Sequence, residues 1–221
     1  LLLSFVLILF TNQITLRNFP NSGDEYAYLI SAEIFSIQNL SVPSPEHKEF
    51  FDFYHIINNG KFYGKYPPGW PFFLMFGILI NLPWIVNPVF AILTLVLVYL
   101  TAKEITSKKT ARIAILLMAT SSFFIFISVF YFSHSSNLFF LSLFSYVYFK
   151  NLKKNKKLNF FIMGIALGIA FNIRPLESIA IFIPFFTHYL YTKTKKKELK
   201  KEINNFLMFS LGFLILFGIF L

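Results

Sequence analysis

The chain has 221 residues, 56% of them apolar, with 32 Phe and no Cys. Several apolar runs approach the ~20 residues that cross a bilayer, which excludes a soluble globular domain and predicts an all-α polytopic membrane protein. The formal charge of +10 would suit a nucleic-acid partner, but the basic residues fall in short clusters between apolar runs, so no nucleic acid is expected. Without cysteine there is no disulfide and no thiolate metal site.

Residues 1–16 form a short first span. The run 1–15 lacks a basic leader and a small-residue cleavage site, so it reads as a membrane helix rather than a signal peptide. The start on Leu1 and the stop inside an apolar run at Leu221 read as an amino-terminal fragment whose carboxy-terminal part is missing. A long polar segment, 17–66, follows. Within it Asn21-Ser22-Gly23-Asp24-Glu25 opens an amphipathic helix running to about Gln38, with Ser22 and Glu25 as a capping box. Asn59-Gly60 is a hairpin-turn signal, and the alternation Phe51, Phe53, His55 and then Lys61, Tyr63, Lys65 suits two short strands. Tyr66-Pro67-Pro68-Gly69 fixes φ twice and removes two N–H donors, so no helix runs through it, although one can start there.

Further spans are expected at 86–102, 113–130, 138–149, 158–173, 179–191 and 206–221. Lys103, Lys108, Lys109 and Arg112 follow the first of these. Lys150, Lys153, Lys154, Lys156 and Lys157 follow the third. Lys193, Lys195, Lys196, Lys197, Lys200 and Lys201 follow the fifth. Only Arg17, Lys48, Lys61, Lys65 and Arg174 lie elsewhere, so the three clusters read as cytoplasmic. The span at 86–102 then begins outside, and what precedes it is outside as well. The ten-residue run 72–81, between Pro71 and Pro83, is too short to cross and reads as a re-entrant or interfacial helix. Trp70 and Trp84 at its ends suit the headgroup level. The result is one transmembrane module: 1–16 as first span, 17–85 as outer loop, and six further spans over 86–221. The amino terminus lies in the cytoplasm of a plasma (inner) membrane protein.

The unusual polar groups gather on the outer face. Acidic residues in a first helical turn stabilise the dipole by roughly 0.3–1 kcal/mol, which is explanation enough for Asp24 and Glu25. The functional reading is a carboxylate that takes a proton from a hydroxyl or binds a divalent cation. His134, within Ser133-His134-Ser135-Ser136-Asn137, is either an interfacial polar group or a second ligand beside Asp24. Arg174, fixed by Pro175 at the end of an apolar run, either snorkels and pairs with Glu177 or clamps a phosphate through its planar guanidinium. Lys65 would add charge there. Glu33, Glu46, Glu49, Asp52, His47 and His55 read as ordinary loop polarity.

A first membrane helix, an outer loop opening with Asp24-Glu25, and Gly60-Lys61-Phe62-Tyr63-Gly64-Lys65-Tyr66-Pro67-Pro68-Gly69-Trp70-Pro71 before the next span together resemble the GT-C glycosyltransferase superfamily. The bacterial branch related to protein O-mannosyltransferases and lipid A aminoarabinose transferases is the most similar. The resemblance implies a seven-span amino-terminal module. It also implies transfer of a sugar from a polyprenyl-phosphate donor to an envelope glycan, lipid or protein on the outer face. Asp24, with Glu25 beside it, becomes catalytic base or metal ligand, Tyr66, Pro67 and Pro68 shape the site, and Arg174 with Lys65 holds the donor phosphate. Where many members carry a second outer-loop acid, this chain has Ser133-His134-Ser135-Ser136-Asn137. A transporter or flippase for a lipid-linked or small polar substrate is the alternative, although such proteins place charges near the midplane. A non-catalytic envelope-assembly subunit is a third reading.

Overall fold

A computed structural model describes residues 2–197 and 202–219, and they are mostly helical. In chain order the helices are α1 (Leu2–Phe10, continued by a wider π-turn, Thr11–Leu16), α2 (Gly23–Ser36), α3 (Gly69–Leu79), α4 (Val86–Ile105) and α5 (Lys108–Ala119). They continue with α6 (Ser122–Ile127), α7 (His134–Lys154), α8 (Lys157–Ile173), α9 (Pro175–Lys195) and α10 (Ile203–Ile219). Three short strands, β1 (Val42–Pro43), β2 (Ile56–Asn58) and β3 (Lys61–Gly64), form an antiparallel sheet in the order β1-β3-β2. Among the described residues one helix, Pro83–Ile105 with its leading 3₁₀ turn, is long and apolar enough to cross a membrane. Leu2–Leu16, Gly69–Leu79, Lys157–Ile173 and Ile203–Leu216 are shorter apolar helices.

The chain divides into two compact units, residues up to 93 with 117–136, and 94–116 with 137 onward. In the first, α2 packs on α3 and on β3. The sheet sits close to α2 because Gly64 has no side chain: a Cβ there would fall on the Ser31 hydroxyl and the Ala27 carbonyl. Instead the Gly64 N–H donates to Ser31 Oγ at 3.1 Å. Gly60, with φ of +93°, carries the hairpin bend that β-carbon residues resist.

In the second unit α8 packs along α10. Gly164 and Gly168 are spaced four apart on α8, and Gly212 faces them from α10. A Cβ on Gly164 would strike the Phe209 carbonyl, and one on Gly212 the Phe161 carbonyl. Small residues at this spacing let two helices meet backbone to backbone, where dispersion rather than water exclusion holds them in lipid. Rings fill the rest: Phe144, Tyr148 and Phe149 of α7 meet Phe185 of α9 at centroid distances of 5.3, 4.8 and 5.6 Å.

Four expectations need correction. The first hairpin strand is Ile56–Asn58, not the run through Phe51, Phe53 and His55, which lies in turns. The expected span at 113–130 is broken after Ala119, because Ser121 caps a new helix, accepting from Phe124 N at 3.4 Å. Residues 134–137, left between the expected spans at 113–130 and 138–149, are the opening turn of α7. Trp70 does not face lipid: it is fully buried, with its indole N–H given to a backbone carbonyl.

Candidate active site

Two consecutive carboxylates open α2, and consecutive helical residues point about 100° apart. Ser22, extended at φ −143° and ψ 158°, stops the helix at its start and accepts from Glu25 N. Asp24 is thereby turned outward, its side chain 39% exposed. Glu25 is turned inward and is fully buried.

Glu25 is saturated by donors. Its Oε1 accepts from Asn21 N at 3.0 Å and from Ser22 Oγ at 3.1 Å. Its Oε2 accepts from Tyr131 N at 2.9 Å. Tyr131 belongs to a non-helical strap, residues 128–133, between α6 and α7. Backbone groups there have no helix to satisfy them, and a buried unpaired N–H or C=O costs ~1–3 kcal/mol. Side chains supply the partners. Asn12 Nδ2 donates to Val129 O (3.2 Å), Asn87 Nδ2 to Phe130 O (2.6 Å) and Phe132 O (2.8 Å), and Trp70 Nε1 to Tyr131 O (2.7 Å). The Tyr131 hydroxyl donates to Asn18 O at 2.9 Å, and Tyr28 exchanges a hydrogen bond with Ser133 Oγ at 3.1 Å. Burial, and then the Glu25 carboxylate, push the Tyr131 phenol up to about 12.

On the outward side Asp24 Oδ1 accepts a hydrogen bond from the Tyr66 hydroxyl. His55 Nδ1 lies 3.0 Å from the same Asp24 oxygen and 2.6 Å from the Tyr66 oxygen. With the phenol proton directed at Asp24, Nδ1 must carry a hydrogen to bond either oxygen, which assigns the His55 tautomer. The imidazole stacks on the Tyr66 ring at 5.8 Å, and Tyr28 closes the other side at 4.8 Å. Local structure puts the three groups together. Lys65 N donates to His55 O at 3.1 Å, extending the hairpin by a step beyond β3. Gly23 leaves room for the ring, since a Cβ there would press on His55 Cδ2 at 2.6 Å.

Of the residues singled out from sequence, Asp24 and Tyr66 therefore meet, and Pro67 and Pro68 follow directly, Pro68 opening α3 and accepting from Phe72 N. Lys65 lies with its ammonium 3.2 Å above the Tyr54 ring and 5.6 Å from the Tyr66 ring. Glu25 is buried, with its carboxylate bonded to Asn21, Ser22 and the strap. His134 opens α7 with its ring edge-on to Phe132 at 5.7 Å. No group of three His, Asp or Glu side chains suited to a metal ion occurs among the described residues. Arg174 belongs to the second unit. It joins α8 to α9, where its Nε donates to Glu177 Oε1 at 2.6 Å and a second guanidinium nitrogen pairs with the same oxygen. His55, taken from sequence as loop polarity, is the member of the outward cluster that sequence reasoning missed, and Asn12, Trp70, Asn87 and Tyr131 are the ones missed at the strap.

No curated protein and no solved structure matches the chain. Residues 65–221 match a family model described as dolichyl-phosphate-mannose-protein mannosyltransferase, a stretch that begins at Lys65-Tyr66 and takes in the strap and both residues of the Arg174–Glu177 pair. With more than half its length matched, the chain belongs to that family and is a membrane glycosyltransferase of the GT-C type.

Proposed function

We propose that the protein transfers a sugar from a polyprenyl-phosphate carrier to a hydroxyl-bearing acceptor of the cell envelope, with Asp24 as the general base. The single observation that carries the assignment is the outward cluster of Asp24, Tyr66 and His55. It supplies a half-exposed carboxylate whose direction is set by two ring-bearing neighbours. The acceptor oxygen attacks the anomeric carbon and its proton passes to the second carboxylate oxygen of Asp24. The bond from that carbon to the phosphate oxygen breaks, and the lipid phosphate leaves with the bonding electrons. The donor brings its own leaving group, so the protein's share is a positioned base and positive charge for the departing phosphate.

Arg174 and Lys65 are the proposed sources of that charge, and a guanidinium already holding Glu177 would exchange one carboxylate for phosphate oxygens. Seven crossings, the one at 113–130 made in two pieces by α5 and α6, with the amino terminus in the cytoplasm and the base on the outer side, complete the reading. It rests on the three lysine clusters.

The test is transfer from a synthetic polyprenyl-phosphate sugar by protein in liposomes. Asp24→Asn should lower turnover at least 100-fold while its melting temperature stays near that of the parent. Turnover within a few-fold of the parent would refute the assignment. Arg174→Ala should raise the KM for the donor with a smaller effect on kcat. The same assay separates base from metal ligand: turnover that survives chelation keeps Asp24 as the base, whereas loss restored by a divalent cation makes it a ligand.

A further inference from the structure

A second feature lies entirely within the second unit. The side chains of α7, α8, α9 and α10 bound an apolar cavity of about 50 Å³, lined by rings such as Phe144, Phe182 and Phe206 with Met163. About 10–15 Å³ accommodates one water-sized group, so the cavity takes a chain segment of several carbons but not a bulky head. It shares Tyr148, Phe160, Met163 and Tyr189 with a neighbouring cavity whose other walls are Leu152 and five polar residues, Asn151, Asn155, Thr192, Lys193 and Lys196. An apolar slot thus lies side by side with a basic one, with four residues common to both linings.

The polar end is built, not incidental. Glu202 is 2% exposed yet ionised. Burial works to raise its carboxyl, but bonds from Lys193 (2.6 Å), Tyr189 (2.5 Å) and Asn205 hold it below the ordinary value. Asn205 also reaches Asn155 at 3.4 Å, and Asn151 Oδ1 accepts from Lys156 N and Asn159 Nδ2 at 2.8 Å each. This network fixes the walls and takes up the Lys193 charge. Exposed Lys196 lines the slot, and Lys195, Lys197, Lys154 and Lys156 are exposed on the adjoining helix ends and connectors. Among the described residues, the acidic groups of these helix ends and connectors are Glu202, held by Lys193, and Glu104, held by Lys153 at 3.0 Å.

We propose that this cleft binds an anionic membrane phospholipid, with the phosphate at Lys196 and the upper part of one acyl chain among the aromatic rings. The arrangement matches the ligand at both ends. Aromatic and thioether side chains accept a flexible methylene chain, and lysines at the ends of membrane helices attract anionic headgroups by ~1 kcal/mol each. The site is made wholly of residues of the second unit, and the proposed occupant is a structural lipid.

Native mass spectrometry of the protein, titrated with equal amounts of phosphatidylglycerol and phosphatidylcholine, tests this. One phosphatidylglycerol should be retained at least fivefold over phosphatidylcholine. Lys196→Gln, an exposed change that leaves the wall network intact, should cut that preference severalfold. Met163→Trp, which fills the slot, should lower retention of both lipids, and a melting curve reports whether it folds. Should it fail to fold, Lys196→Gln still decides. Equal retention of the two lipids, or an unchanged preference in Lys196→Gln, would overturn the proposal. So would displacement of the phosphatidylglycerol by millimolar inorganic phosphate, which would identify a free-anion site.

Discussion

The two units satisfy the same physical demand in opposite ways. In lipid or protein interior every peptide group must find a partner. Helices α8 and α10 meet that demand within each helix, so their contact surface is made chiefly from glycines and rings, with Asn172 Nδ2 of α8 reaching Leu216 O of α10 at 3.3 Å. The strap at residues 128–133 is not helical, and four side chains from distant parts of the sequence, Asn12, Glu25, Trp70 and Asn87, stand in for the missing turns. Irregular backbone is therefore costly to build and rigid once built. It also fixes the start of α2, because Glu25 is held by the strap while Asp24 faces outward next to it.

The contrast is broken most severely at a glycine contact. Gly212→Leu would drive a branched side chain into the Phe161 backbone, where no rotamer relieves the overlap. The expected outcome is loss of a monodisperse, folded species on size exclusion in detergent. Gly212→Ala should retain a folded protein with a lowered melting temperature. A Leu variant that melts like the parent would show that α8 and α10 are not held by close approach.

Glu25 is the corresponding point in the first unit. Glu25→Ala leaves the donors of Asn21, Ser22 and Tyr131 without their acceptor, a loss on the order of 3–5 kcal/mol. Glu25→Gln keeps one acceptor oxygen and should lose less. Denaturant melts of the two variants measure the difference. Equal loss in both would mean that the charge, rather than the acceptor oxygens, does the holding.

How far these features could be read from sequence depends on how local they are. Ser22 and Glu25 three residues apart announce the start of α2, and the observed cap uses both. The Asn59-Gly60 turn was legible, but the strand before it was placed too early. Counting pairs outward from the observed register, Ile57 against Tyr63 and Ile56 against Gly64, puts His55 across from Lys65 and next to Tyr66. Continuing that count would have brought His55 to Asp24's partner. Trp70 read as an interface residue because Pro71 and a short apolar run follow it. Nothing local states that its N–H is wanted by Tyr131, 61 residues away. The break at Ser121 was masked by apolar residues on both sides, since hydropathy is blind to a serine that turns from helix neighbour to helix cap. Family membership rests on the stretch from Lys65 onward, while the base proposed here lies before it, so the chemistry of Asp24 stands on the cluster geometry alone.

The finest distinction concerns Tyr131, where the strap and the Glu25 anchor meet. Its phenol is raised from the ordinary 10 to about 12 by burial and by Glu25. The sign follows from linkage: below pH 10 the hydroxyl is protonated whether the chain is folded or unfolded, and its contribution is fully present. As pH rises from about 10 through about 12 the unfolded chain loses the proton first, so folding stability falls, by about 2–3 kcal/mol in all. Tyr131→Phe removes both that ionisation and the hydrogen bond to Asn18 O. At pH 8 the variant should be about 1 kcal/mol less stable than the parent, and the gap should shrink or reverse by pH 12. Melting curves of parent and variant at pH 8, 10 and 11.5 measure it, and parallel curves across that range would show that the phenol is not buried against Glu25.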